Sequence, residues 1–123
     1  MKYDKNNIFA RILRKELPAQ VVYEDEYALA FHDIAPKAPV HILVIPKGAY
    51  VSFFDFSEKA SPAEITGFTK AIHNVVASLD LEDKGFWTLS SHGEEGGQVV
   101  FHYHVHIFSG RHPSQSHPSI HEA

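Results

Sequence analysis

Apolar residues follow two different periods along this chain, and the switches between them outline its elements. After Asn7, the residues Ile8, Phe9, Ile12 and Leu13 recur at the three-and-four spacing of one helix face, and Pro18 sets the latest point at which that helix can end. Residues 21–24 and 27–31 are short apolar runs around Asp25-Glu26, the pattern of a strand hairpin. Residues 33–39 carry Pro36 and Pro39 and read as a loop that feeds a strand over 40–45, closed by Pro46. Ser61-Pro62-Ala63-Glu64 has the spacing of a capping box with proline at the first helical position. It predicts a helix through about Leu79 whose apolar stripe is Ile65, Phe68, Ile72, Val75, Val76 and Leu79.

Further along, residues 85–90 read as a strand, residues 91–97 as a glycine-rich turn, and residues 98–108 as one long strand. Residues 1–110 then make a single domain, and the polar, histidine-bearing residues 111–123 make a tail that is loose or held by a partner subunit. Five strands and two helices, with strands following one another instead of alternating with helices, predict an α+β domain around an antiparallel sheet. The run Val51-Ser52-Phe53-Phe54-Asp55-Phe56 fits either the interior of the monomer or a face shared with a second copy.

Composition narrows the function. The 123 residues are 44% hydrophobic and 21% charged, which is ordinary for a folded domain. A formal net charge of -4 argues against the broad basic face that nucleic-acid binding needs, while leaving room for one small anion. With no cysteine there are no disulfides, thiolate ligands or cysteine nucleophile. No apolar run approaches the length of a membrane span, and the N-terminus lacks a long apolar stretch, so a cytoplasmic location is expected. Histidine is the exception: there are ten, most of them after Ser90.

Three of them alternate strictly in Phe101-His102-Tyr103-His104-Val105-His106-Ile107-Phe108. On a strand this puts His102, His104 and His106 on one face, with apolar residues on the other. Crowded imidazoles depress one another's protonation and leave a neutral ring nitrogen available as nucleophile or base. A metal site is the competing reading, yet strand rise separates the Cα atoms of His102 and His106 by roughly 13 Å. An ion would therefore need His41 or another outside ligand. The loop at 93–97 adds a glycine-rich turn whose N–H groups are suited to an anion.

The run from His102 to Phe108 resembles the signature of the histidine triad family. Ile8-Phe9-Ala10-Arg11-Ile12, Leu17-Pro18-Ala19, Ala30-Phe31-His32-Asp33-Ile34, the stretch 38–47 and Gly96-Gly97-Gln98 are similar to its Hint branch, the nucleoside phosphoramidases. The resemblance implies that His104 attacks the α-phosphorus of a purine nucleotide conjugate, that His106 contacts the phosphate, and that His102 and His41 hold and polarise the nucleophile. It implies that Asp33 accepts hydrogen bonds from the ribose, that Ile34 lines the nucleoside pocket and that Phe9, Ile12, Leu17 and Phe31 enclose the base. Ser91 and the backbone of Gly97, Gln98 and Val99 would face the phosphate. Ser91 stands where many Hint proteins carry Asn, and Val99 where animal members often carry Ser. No metal or other cofactor is implied, and the family's homodimer would extend the sheet across two subunits. The dinucleoside polyphosphate hydrolase branch keeps all three histidines and is the runner-up. A histidine-based metal-binding protein and a nucleotide-binding interaction module are the readings outside catalysis.

Overall fold

A computed structural model describes residues 2–115 of the chain. Its elements are α1 (Ile8–Leu13), β1 (Val21–Glu24), β2 (Ala28–His32), β3 (Val40–Pro46), α2 (Phe53–Lys59), α3 (Pro62–Ser78), α4 (Leu81–Lys84), β4 (Trp87–Leu89) and β5 (Val105–Ser109). The strands form one antiparallel sheet in the order β1-β2-β3-β5-β4. The expected α+β class and five-stranded sheet are found. His117, His121 and most of the expected tail lie outside the described residues.

β3 is the central strand and is buried on both faces, so its apolar run is continuous and its alternation carries a different meaning on each side. Ile42 and Val44 face a layer of helices, together with Ala28 and Ala30 of β2 and Val105 and Ile107 of β5. Phe56, Phe68, Ala71, Val75, Val76 and Leu81 close that core from α2, α3 and α4. Helix α3 begins at the expected capping box, with the Ser61 hydroxyl and Glu64 carboxylate each taking the other's backbone N–H. On the opposite face, Leu29, Phe31, Leu43 and Ile45 pack against Phe9, with Ile12 and Leu13 at the margin, so the short α1 covers this side.

Two features depart from the sequence reading. Among the described residues there are four α-helices instead of two, and the run 51–56 is largely α2. Its first turn is held by the Asp55 carboxylate, which accepts the Val51 N–H at 2.8 Å. Phe56 points into the core while Phe53 and Phe54 are exposed. Six residues are too few for helical period to emerge from so apolar a run. The second departure is β5, which starts at Val105, not Gln98. The ladder stops at the pairs Val44↔Val105 and Leu89↔His106: β4 has ended at Leu89, and although β3 runs on through Ile45 and Pro46, residues 98–104 do not pair with it. Residues 98–104 are anchored individually instead, for example by the Tyr103 N–H on the Tyr50 carbonyl at 2.7 Å.

Candidate active site

His41 and His106 lie on adjacent strands, on the α1 face of the sheet, where β3 and β5 put His41 opposite Phe108 and Leu43 opposite His106. His102 and His104 come from the irregular approach to β5. All four histidines are buried, none more than 3% exposed. In such surroundings every ring nitrogen needs a partner, and the partners here fix the tautomers.

The backbone decides three of them. The Lys37 N–H points at Nδ1 of His41 at 3.2 Å, so that nitrogen accepts and Nε2 carries the proton. Nε2–H of His41 donates to Nδ1 of His106 at 2.8 Å, which puts the His106 proton on Nε2. That Nε2–H is buried and has no hydrogen-bond acceptor among the described residues. On the other branch the Pro46 carbonyl, where β3 stops, can only accept, so His102 donates to it from Nε2 at 2.8 Å. The carbonyl of His102 in turn takes the Nδ1–H of His104 at 2.6 Å, leaving the basic lone pair of His104 on Nε2. The rings of His104 and His106 sit 5.2 Å apart, edge to face.

Burial is also the main reason these rings stay neutral. It pushes His102 down to about 4, with His104 adding a smaller depression and the Pro46 carbonyl opposing it. His106 is pushed to about 3 by burial first and then by His104, His41 and Lys37. His41 is lowered by burial and partly restored by Asp33. Mutual repulsion, the cause expected from the sequence, is thus secondary to desolvation.

Asp33 closes the cluster. Its Oδ1 accepts the Ala35 N–H at 2.8 Å, and its Oδ2 lies 3.4 Å from Nε2 of His41, whose proton is already committed to His106. Oδ2 is therefore a buried acceptor without a donor among the described residues. Asp33, His41 and His106 each offer a ligand atom within 4.8 Å of the others, the set that could hold a metal ion. A tetrahedral zinc ion would hold two imidazole nitrogens roughly 3.3 Å apart. The facing nitrogens of His41 and His106, at 2.8 Å, share a proton instead.

A family model, the HIT domain, matches residues 14–113. The chain belongs to the HIT domain family. It is 54% identical over 109 residues to an uncharacterized 13.2 kDa HIT-like protein of Azospirillum brasilense, covering 89% of each chain. A 14 kDa zinc-binding protein of Zea mays is 41% identical over 108 residues, covering 88% of this chain and 84% of the relative. A solved HIT family hydrolase from Clostridium thermocellum superposes with a TM-score of 0.77 at 32% identity, covering 96% of this chain and 99% of that one. The fold is the HIT α+β fold.

Around the histidines of this HIT protein, the remaining candidates separate into two groups. Ile12 and Leu17 line an open cleft of about 470 Å³, which shares Pro18 and Ala19 with a second of about 580 Å³ lined by Asp33, Ile34 and His41. Ile34 is 97% exposed at its rim. Phe9 and Phe31 are buried and stacked edge to face at 5.6 Å, with Phe9 also set edge-on to His104 at 4.9 Å. They are the floor under the site, whereas Ile12 and Leu17 have the open lining.

The glycine-rich turn is built differently from the expected anion cradle. The N–H groups of Gly97 and Gln98 bond to the Glu94 and Gly93 carbonyls, closing the turn on itself. Gly97 has φ 89°, a left-handed conformation that favours glycine. The buried Gln98 side chain staples the turn, accepting from Gly93 N–H and donating to the Val51 and Val100 carbonyls. Ser91 is buried just past β4, and the Val99 side chain is exposed. Sequence reasoning missed the groups that set the tautomers, the Lys37 N–H and the Pro46 carbonyl, because backbone atoms carry no residue signature. It also missed the buried Ser52, whose hydroxyl meets Nδ1 of His92 at 2.6 Å, and Tyr3, which meets His102.

Proposed function

We propose that this HIT protein is a nucleotide-binding hydrolase that cleaves purine nucleoside 5′-phosphoramidates to nucleoside monophosphate and amine. One observation carries the reading: among the described residues the site buries an acceptor and a donor with opposite needs, Asp33 Oδ2 beside His41 and the Nε2–H of His106, the ring to which His41 donates. A nucleoside monophosphate answers both, with a ribose hydroxyl for the carboxylate and a phosphoryl oxygen for the imidazole. The adjoining clefts beside Ile12, Leu17 and Ile34 suit a flat base.

In this reading His104 Nε2 forms a bond to the α-phosphorus as the P–N bond breaks, and the leaving amine takes its proton from solvent water, to which the hydrolytic water of the second step returns one. Water then cleaves the Nε2–P bond and releases the monophosphate, so one hard displacement becomes two easier ones. His102 keeps the Nδ1–H of His104 engaged, and His106 hydrogen-bonds the phosphoryl oxygens. Ser91 and Val99 border the approach to the phosphate. The enzyme works in the cytoplasm as a homodimer with the sheet extended across two subunits; light scattering at micromolar concentration tests the dimer.

The test is steady-state turnover of adenosine 5′-phosphoramidate bearing a fluorescent amine, beside diadenosine polyphosphate. Turnover of the first, lost in His104→Ala, is expected. Preference for the polyphosphate would move the protein to the dinucleoside polyphosphate hydrolases. The metal-binding reading draws on the cluster of Asp33, His41 and His106, and stoichiometric zinc in protein purified without chelators or tags would favour it.

A further inference from the structure

The polar N-terminal residues carry an element of the site that no motif announces. The Tyr3 hydroxyl meets Nδ1 of His102 at 2.7 Å, and the two rings stand edge to face at 5.6 Å. Because Nε2 of His102 already donates to the Pro46 carbonyl, Nδ1 must accept and the tyrosine must donate. His102 is wholly buried, so the hydroxyl is its partner on the one side where the sheet supplies none.

The segment behind Tyr3 is tied down. Asp4 accepts the Asn6 N–H on its side chain at 2.8 Å and the Asn7 amide on its carbonyl at 2.7 Å. Asn7 in turn caps α1 through the Ala10 N–H, and the Arg14 guanidinium binds the Lys5 carbonyl at 2.7 Å. Residues 4–7 and α1 are thus one block, and α1 also carries Phe9 against His104. Tyr3, next to this block, and Phe9 within it touch two successive histidines of the triad, one by a hydrogen bond and one by a ring edge.

We propose that Tyr3 is a positioning residue for the proposed reaction, holding the His102 ring from its second nitrogen so that the His102 carbonyl keeps the Nδ1–H of His104 in line. The chain of contacts runs from Tyr3 Oη to His102 Nδ1, through the His102 backbone, to His104. The proposal rests on the phosphoramidase reading for its kinetic consequence but not for its structural one. A hydroxyl donor also favours neutral His102, whose ionisable neighbours are Tyr3 and His104.

Tyr3→Phe tests it, since the ring packing remains and only the hydroxyl goes. In the full-length protein labelled with ¹⁵N-histidine, Nδ1 of His102 is expected to move to higher shift, as an imine nitrogen does on losing a hydrogen bond, and the His104 resonances to move with it. On the phosphoramidate, kcat is expected to fall about 3- to 10-fold, the loss of one ordinary hydrogen bond, with KM within about twofold. The acid limb of the kcat profile should shift to higher pH. Unmoved His102 and His104 resonances would overturn the proposal, as would moved resonances with unchanged kcat and acid limb. If the wild type turns over no phosphoramidate, the hydrolase reading fails separately, and the His104 resonances alone decide whether Tyr3 positions it.

Discussion

The two faces of the sheet are equally dry but are held together by different forces. On the helical face Ala28, Ala30, Ile42, Val44, Val105 and Ile107 meet Phe56, Phe68, Val75 and Val76, all apolar. Here shape and volume dominate the energy, and the one polar group among its buried members is the Tyr103 phenol. On the α1 face the same strands present His41, Leu43, His106 and Phe108, and the neighbouring Asp33, His102 and His104 are buried with them. Each of those polar groups needs partners of the right polarity, and among the described residues Asp33 Oδ2 and His106 Nε2 find none. A residue's period on the strand selects the face, and the face selects whether a change disturbs packing or chemistry.

The sharpest way to break this contrast is His104→Ala. Turnover of the phosphoramidate should fall by about three orders of magnitude or more while circular dichroism and Tm change little. Retained turnover would remove the chemical face from the argument. Its counterpart is Ile107→Ala on the opposite side of β5, where the side chain is fully buried. The cavity should cost about 2–5 kcal/mol, seen in urea unfolding, with kcat at 15 °C close to wild type. A large loss of kcat there would show that the faces are not separable.

On acidification from neutral pH, the chemical face should respond first. His102 and His106 titrate at about 4 and about 3 in the folded protein, against an ordinary value of 6.5. Between those limits the unfolded chain binds more protons, so this part of the stability is fully present above about pH 6.5 and is lost as pH falls toward 4. Tm measured from pH 7.5 to 4 should decline over that window, and a flat profile would contradict the neutral, buried state of these rings. The smallest effect expected is that of Asp33→Asn, which keeps the shape but exchanges one carboxylate oxygen for an amide. KM for the nucleotide substrate should rise about tenfold, or about 1.4 kcal/mol, with a smaller change in kcat. A change in kcat alone would mean that Asp33 acts through His41 instead of on the sugar.

Most of the elements were legible because their signals are local. The capping box at Ser61, the stripe through Phe68, Val75 and Val76, and the prolines bounding residues 33–46 all state their roles within a few residues. The hairpin was found with β2 shifted by one residue. Helix α2 was hidden in an apolar run too short to show a period, and α4 in four residues behind Asp80, whose left-handed φ of 55° no pattern announces. The alternation at 101–108 correctly separated histidines from core residues but implied a strand twice as long as the five residues that pair.

By itself the sequence determined which residue types are available for chemistry, a triad of imidazoles with His41 and Asp33 and no thiol. It also determined the order of strands and helices that makes an α+β domain. Only the tertiary structure decided the protonation pattern. Which nitrogen of His41, His102 or His104 bears a proton depends on the Lys37 N–H and on the Pro46 and His102 carbonyls. The first two become neighbours of the rings only when the loop before β3 folds back onto His41 and the chain before β5 leaves the ladder beside the end of β3. A ring's identity is written in the chain, but its tautomer is set by whichever backbone group faces it in a place water does not reach.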